Sequence, residues 1–166
     1  MRQGRTPQRS RAAQGFTLIE TLIVAAIIGI LANLAVPAVR YALIRARAQA
    51  IVGDFHAIEV AAHQYYVDNG DFPPEANPGK EPPKFKKYLN RQVKWDHGRQ
   101  GYQLAWENWT NPNKPGKCKH PKEGVRIGIS IVTKDTELVF ALSQVSPKPF
   151  EYTLADTYTY VLDPCS

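Results

Sequence analysis

The sequence lacks most of the features that would define a chemistry. It has only two cysteines, Cys118 and Cys165, and no CxxC or Cys/His spacing of the kind that builds a zinc site. Its histidines, His56, His63, His97 and His120, do not cluster. His56 and His63 can share a helix face, but nothing is spaced to complete a site around them, so all four read as structural or solvated. There is no nucleophile motif, phosphate-cradling loop or paired-carboxylate arrangement, and the chain reads as something other than an enzyme. No basic stripe carries interleaved aromatics, which excludes a nucleic-acid face. Lys80 to Lys87 comes closest, but it lies among Pro78, Gly79, Pro82 and Pro83 and reads as a solvated loop. Trp95, Trp106 and Trp109 read as packing residues. Internal repeats are absent. The first fifteen positions hold no acid, and the run from Thr21 to Val39 holds no charge at all.

Those two gaps organise the rest. Arg2, Arg5, Arg9 and Arg11 fill the acid-free start; with them set aside, 17 basic residues stand against 15 acidic ones, so the net charge of +6 reflects a basic tag. Residues 1–15 therefore read as a leader. The uncharged run is roughly 28 Å long as a helix, close to the thickness of a bilayer's hydrocarbon core, and it reads as a membrane segment over residues 16–39. The helical pattern then continues. Tyr41, Ile44, Ala48, Ile51, Phe55, Ile58, Ala62 and Tyr65 recur in steps of three and four, while Arg40, Arg45, Arg47, Asp54, Glu59 and Asp68 fall off that stripe. Asn69-Gly70 supplies a stop and Pro73-Pro74 prevents resumption. The spacing predicts one helix of about 50 residues, on the order of 75 Å long, lipophilic all round at first and one-sided over residues 40–70. Pro37 and Gly29 mark places for a bend or local loosening.

Residues 71–166 read as a small antiparallel sheet domain, which with the long helix makes the chain α+β. One helical turn is expected near Phe85 to Leu89. β-type runs follow at Tyr102 to Trp106, Val125 to Val132, Leu138 to Val145 and Tyr152 to Leu162. The second and third alternate in polarity, and Lys134-Asp135 between them predicts an antiparallel hairpin. The apolar face of so small a sheet needs a cover, and the 41-to-65 stripe offers one. Asn108 to Lys122 reads as a loop. If this part of the chain is exported, Cys118 and Cys165 read as one disulfide; otherwise they are two free thiols.

The segment with the most chemistry is Gly15-Phe16-Thr17-Leu18-Ile19-Glu20. Glu20 is a lone carboxylate at the start of a membrane helix, where an unpartnered charge is expensive. Cutting after Gly15 would release an α-amine on Phe16, a matching cation for the Glu20 of the same chain or of the next copy in a helix bundle. Before the cut, Phe16 has only a neutral amide, so proteolysis would switch assembly on.

This hexapeptide, the short basic leader before it and Leu22-Ile-Val-Ala-Ala-Ile-Ile-Gly-Ile-Leu-Ala after it resemble the type IV pilin and pseudopilin signature. Pro37 matches a recurrent proline of that family, and Ala57 to Pro74 resembles its helix ends. The resemblance implies a pilin fold, with a long N-terminal helix on a small antiparallel sheet. It also implies cleavage between Gly15 and Phe16 by a prepilin peptidase, N-methylation of Phe16, and docking through Glu20. The implied partners are the peptidase/methyltransferase, other pilin or pseudopilin subunits, an inner-membrane assembly platform and the lipid bilayer. The leader would be cytoplasmic, the helix in the inner membrane, and the sheet domain periplasmic or, in a pilus, on the cell surface. A disulfide between Cys118 and Cys165 would match the C-terminal loop of many pilins. Asp156 and Asp163 invite comparison with the calcium loop of major pseudopilins without showing its ligand pattern, and no other cofactor or metal is expected.

The expected function is a structural subunit of a type IV pilus-like filament, with the pseudopilin of a type II secretion system as the alternative. The cysteines favour the pilus, and the helix-end resemblance favours the pseudopilus. From another class, a single-span anchored periplasmic binding or sensor module would share the helix but never polymerise. An ordinary anchor with a chance glutamate, or a secretory signal cut near Ala38, are the plainer readings of the N-terminus.

Overall fold

The structure is a computed structural model that describes residues 16–90, 92–111, 113, 117, 125–147 and 150–164. Two compact units divide the chain, Met1–Arg40 and Tyr41–Ser166, and helix α1 (Leu18–Asn69) contributes residues to both.

In the first unit the described residues are exposed on every side of the helix. Leu22, Ile23, Ile27, Ile30, Leu31 and Leu34 all present their side chains outward. An apolar surface of this kind is the mark of a helix made for a non-aqueous surrounding. Gly29 and Pro37 both lie inside α1, which remains continuous through them.

In the second unit the same helix becomes one-sided. Ala48, Ile51, Phe55, Ala57, Ile58, Ala61 and Ala62 are buried. Ile44 and Tyr65, at the ends of the predicted stripe, are half-buried, and Tyr41 is 51% exposed. Ala57 and Ala61 widen the contact beyond that stripe, because a helix lying on a sheet touches a broad surface rather than a seam. The helix stops as its sequence predicts. Gly70 adopts φ +74, a conformation glycine reaches without strain, and its N–H donates to the Tyr66 carbonyl at 2.8 Å. Asn69 Nδ2 donates to the Tyr65 carbonyl at 2.8 Å and to the Tyr88 hydroxyl at 2.9 Å. Tyr88 belongs to a 3₁₀ turn, Lys86–Tyr88, where the sequence suggested a helical turn; a second 3₁₀ turn follows at Gly98–Gln100.

After that turn come β1 (Asp96–His97), β2 (Tyr102–Asn108) and β3 (Val125–Thr133), then helix α2 (Thr136–Val145), β4 (Phe150–Leu154) and β5 (Thr157–Pro164). The strands form one antiparallel sheet in the order β1-β2-β3-β5-β4. Register aligns Trp106 with Ile129 and Tyr160, and Leu104 with Ile131 and Tyr158. These residues join the helix residues in one core. The Phe55 ring meets Tyr160 at 5.4 Å and Phe150 at 6.3 Å between centroids. Beyond the two-residue β1, the free edge of β2 is sealed by the chain leaving α1. Ala76 N–H donates to the Trp106 carbonyl at 3.1 Å, Gly79 N–H to the Leu104 carbonyl at 2.8 Å, and Trp106 Nε1 to the Pro73 carbonyl at 2.9 Å. A sealed edge is closed to stray strand pairing.

The predicted hairpin between 125–132 and 138–145 is not formed. Residues 136–145 are helical, with Asp135 as N-cap accepting from the Leu138 N–H at 3.0 Å. Alternation would place Leu138, Phe140 and Leu142 together. Instead Leu138, Ala141 and Leu142 are buried and Phe140 is 60% exposed, which is the i, i+3, i+4 spacing of a helix. An aspartate cap followed by Glu137 decides between two periodicities that so short an apolar run leaves open. β3 and β4 each run antiparallel to β5, so they are parallel to each other and need the crossover that α2 supplies. The run predicted from Tyr152 to Leu162 divides into β4 and β5 around Ala155, which takes φ +52.

The core contact predicts that Phe55→Ala will destabilise the sheet domain by about 3–5 kcal/mol. Thermal unfolding of the full chain in detergent checks this, and an unchanged melting temperature would show that the helix–sheet contact does not hold the domain together.

Candidate functional site

The helix N-terminus is built by a local sequence device. Thr17-Leu18-Ile19-Glu20 has the Ser/Thr-x-x-Glu form of a capping box, in which the cap hydroxyl and the third residue's carboxylate satisfy each other's backbone N–H groups. The geometry follows that form. Glu20 Oε2 accepts from the Thr17 N–H and from the Thr17 hydroxyl, both at 2.8 Å, and the Glu20 N–H donates to Thr17 Oγ1 at 3.3 Å. The positive end of the helix dipole lies beside the carboxylate and favours its charge.

The sequence reading treated Glu20 as an acid without a partner; within one subunit Thr17 holds it. Both bonds to the carboxylate use Oε2, and among the described residues Oε1 accepts none. Phe16 is 84% exposed directly ahead of this box. From Leu18 onward the helix is long and apolar enough to cross a bilayer, with mean hydropathy 2.5 over its apolar window. The structure therefore brings Phe16, Thr17 and Glu20 together at the mouth of an apolar helix. Thr17 escaped the sequence reading, although the Thr-x-x-Glu spacing was there to find it.

Other predicted residues are not gathered into a site. Gly15, Cys118 and Cys165 lie outside the described residues, and the predicted pairing of the two cysteines lies there with them. Asp156 sits in the β4–β5 turn, where its carbonyl accepts from the Thr133 N–H at 2.8 Å. Asp163, at the far end of β5, pairs with Arg126. One strand separates the two acids, so they do not share a cation. Among the described residues no three metal-ligating side chains converge.

One acid in the sheet domain is electrostatically unusual. Burial pushes the Glu107 carboxyl above its ordinary range; the Ser130 hydroxyl opposes that rise by hydrogen bonding, and the neighbouring charge of Glu75 adds to it. Among the described residues no metal-ligating cluster includes it, so Glu107 reads as a buried acid that costs stability rather than as a site.

A methylation-type helix start, an apolar span and an antiparallel sheet covered by the continuing helix together define a pilin-like subunit anchored by a single helix. Comparison with known proteins agrees. A family profile described as the prokaryotic N-terminal methylation motif matches residues 10–32. Type II secretion system core protein G of Pseudomonas aeruginosa is 38% identical over 105 residues, covering 61% of this chain and 72% of that protein. The proteins of the same name from Klebsiella michiganensis and Escherichia coli are 40% and 42% identical, over 39% and 36% of this chain and 46% and 41% of theirs. Against those two, the chain spans less than half of the relative's length. No solved structure matches. The chain belongs to the type IV pilin and pseudopilin family, the family of these core G proteins.

Two predictions follow from this electrostatics. Thr17→Ala removes the cap and weakens the first turn by about 1 kcal/mol; faster amide exchange at Leu18 to Glu20 in detergent micelles is the expected sign, and unchanged exchange would show that the box contributes nothing. For Glu107, the folded-state pKa lies above the unfolded one, so the folded form binds more protons and its stability falls as pH rises from the unfolded value through the folded one. Glu107→Gln should therefore raise the melting temperature at pH 7, with the gain vanishing near pH 4.

Proposed function

We propose that this chain is a pseudopilin, the subunit of a short filament in a type II secretion system, made as a precursor and cut between Gly15 and Phe16. The name shared by its relatives supports the secretion role. The cysteine pair, which favoured a cell-surface pilus in the sequence, lies outside the described residues and does not carry that alternative. In this reading a prepilin peptidase removes the leader and methylates the new amine of Phe16, and the methylated amine keeps its positive charge. The helix rests in the inner membrane with the leader cytoplasmic and the sheet domain periplasmic. Other pseudopilin subunits and an inner-membrane assembly platform are the partners.

The observation that carries the mechanism is the half-occupied carboxylate of Glu20. Thr17 orients it through Oε2, and an incoming subunit's α-ammonium would take Oε1. The interaction would be strong because hydrocarbon screens it poorly, and it would not exist before cleavage. Docking would thus be licensed by proteolysis. The role is structural, with no catalytic step and no cofactor in it.

The test combines processing and assembly. The mature protein should begin at methylated Phe16 by mass spectrometry. Glu20→Val should still be cut but should form filaments at least about tenfold less well, the scale of one ion pair in a low-dielectric setting. An intact Met1 start in cells with active peptidase would instead favour an anchored binding or sensor module, and normal filament yield from Glu20→Val would remove the docking role.

A further inference from the structure

Where α1 ends, the second unit holds a cavity of about 450 Å³ that the filament reading does not use. It lies between the last turn of α1, the chain that leaves it and the end of β2. Its volume is within the range of pockets that take ligands.

The lining is best understood from what its hydrogen-bond donors already do. Asn69 Nδ2 donates to the Tyr65 carbonyl and to the Tyr88 hydroxyl. Asn108 Nδ2 donates to the Pro73 carbonyl at 2.7 Å, and the Thr110 hydroxyl donates to Asn108 Oδ1. These donors are committed to the fold. The rest of the polar lining is Asp71 and Glu75, and an ionised carboxylate can only accept. Asp71 Oδ1 accepts from the Phe72 N–H at 2.7 Å, which orients that acid.

The surrounding field has the same sign. α1 arrives with no basic residue in its last turn, and a helix C-terminus carries negative partial charge of its own. The charge of Glu75 is felt as far as Glu107, whose carboxyl is raised first by burial and further by that acid. Lys87 is held over the Tyr88 ring, 4.5 Å from its centroid, and is not part of the lining. The apolar walls include Tyr65 and Phe72, braced by Tyr88 at 5.2 Å and by Tyr66 at 4.8 Å between centroids. A cation beside such rings gains electrostatically. Among the described residues no third metal-ligating side chain joins Asp71 and Glu75.

A ligand that suits this lining is cationic, rich in donors and flat enough to lie against an aromatic ring. A guanidinium has all three properties: a permanent charge, five N–H donors in one plane and a habit of stacking on aromatic faces. We infer that the cavity is a binding site for an arginine side chain presented by a partner polypeptide. Free arginine carries a carboxylate that Asp71 and Glu75 repel, so a peptide-linked residue is the better occupant. The inference does not depend on the filament reading.

The test titrates the full chain in detergent micelles, followed by NMR of its side-chain amides. The probes are N-acetyl-arginine methylamide, its citrulline counterpart, free arginine and calcium chloride. The blocked arginine should shift the Asn69 and Asn108 amides saturably, with a dissociation constant on the order of 1 mM, as suits one side chain. Citrulline keeps the shape without the charge, and it and free arginine should bind at least about fivefold more weakly. Glu75→Gln changes an exposed residue. It should keep the melting temperature and weaken the blocked arginine at least about fivefold, the scale of one charge-assisted hydrogen bond. No saturable shift, equal affinity for citrulline or wild-type affinity in Glu75→Gln would each overturn the inference. So would calcium moving these amides while the blocked arginine does not, which would make the cavity a metal site. Tighter binding of free arginine would also overturn it, by making the occupant a small molecule.

Discussion

Hydrocarbon offers a polypeptide no hydrogen bonds, so a segment that enters it must satisfy its backbone internally and find a partner for each polar side chain. That constraint accounts for the first unit of this chain. It requires the helical run that begins at Leu18, and it explains why the helix opens with a reciprocal cap between Thr17 and Glu20 rather than with bare N–H groups. It also gives Glu20 its importance, because that acid would be unremarked on a water-facing helix.

In the second unit α1 faces a different surrounding. Water surrounds the outward charges, and the inward face needs apolar cover. Ile51, Phe55 and Ile58 rest on a sheet whose central register lines up Trp106, Ile129 and Tyr160. Alanines at 48, 57, 61 and 62 are buried with them. A five-stranded sheet with one face open would be marginal on its own, and the helix that covers it is the same element that carries the membrane segment. Membrane anchor and domain core thus draw on the same element, α1.

The sequence was most legible where the governing interactions are local. The end of α1 at Asn69-Gly70, the turn at Phe85 to Leu89 and the strand beginning at Tyr102 all follow from turn chemistry and side-chain period. So does the charge-free run, because nothing but composition defines it. The N-terminal motif was legible as a methylation-type signature, which the family profile over residues 10–32 matches, but its internal geometry was read incompletely: Thr17 partners Glu20 within the subunit. Residues 138–145 were misread for a physical reason. Leu138, Val139, Phe140, Ala141 and Leu142 satisfy period two as well as period three to four, and Asp135 settled the choice in favour of the helix.

By itself the sequence determined the helix, its apolar and one-sided halves, its stop and its processing motif. Each of these depends on residues within a few positions of one another. Tertiary structure alone decided that β5 pairs with β3, that β3 reaches β4 through a helical crossover, and that the stretch from Pro73 to Gly79 closes the edge of β2. Those outcomes join residues 30 or more positions apart in several cases, as when Trp106 donates to the Pro73 carbonyl, and no local period encodes them. They are fixed only when the apolar faces of helix and sheet compete for one core.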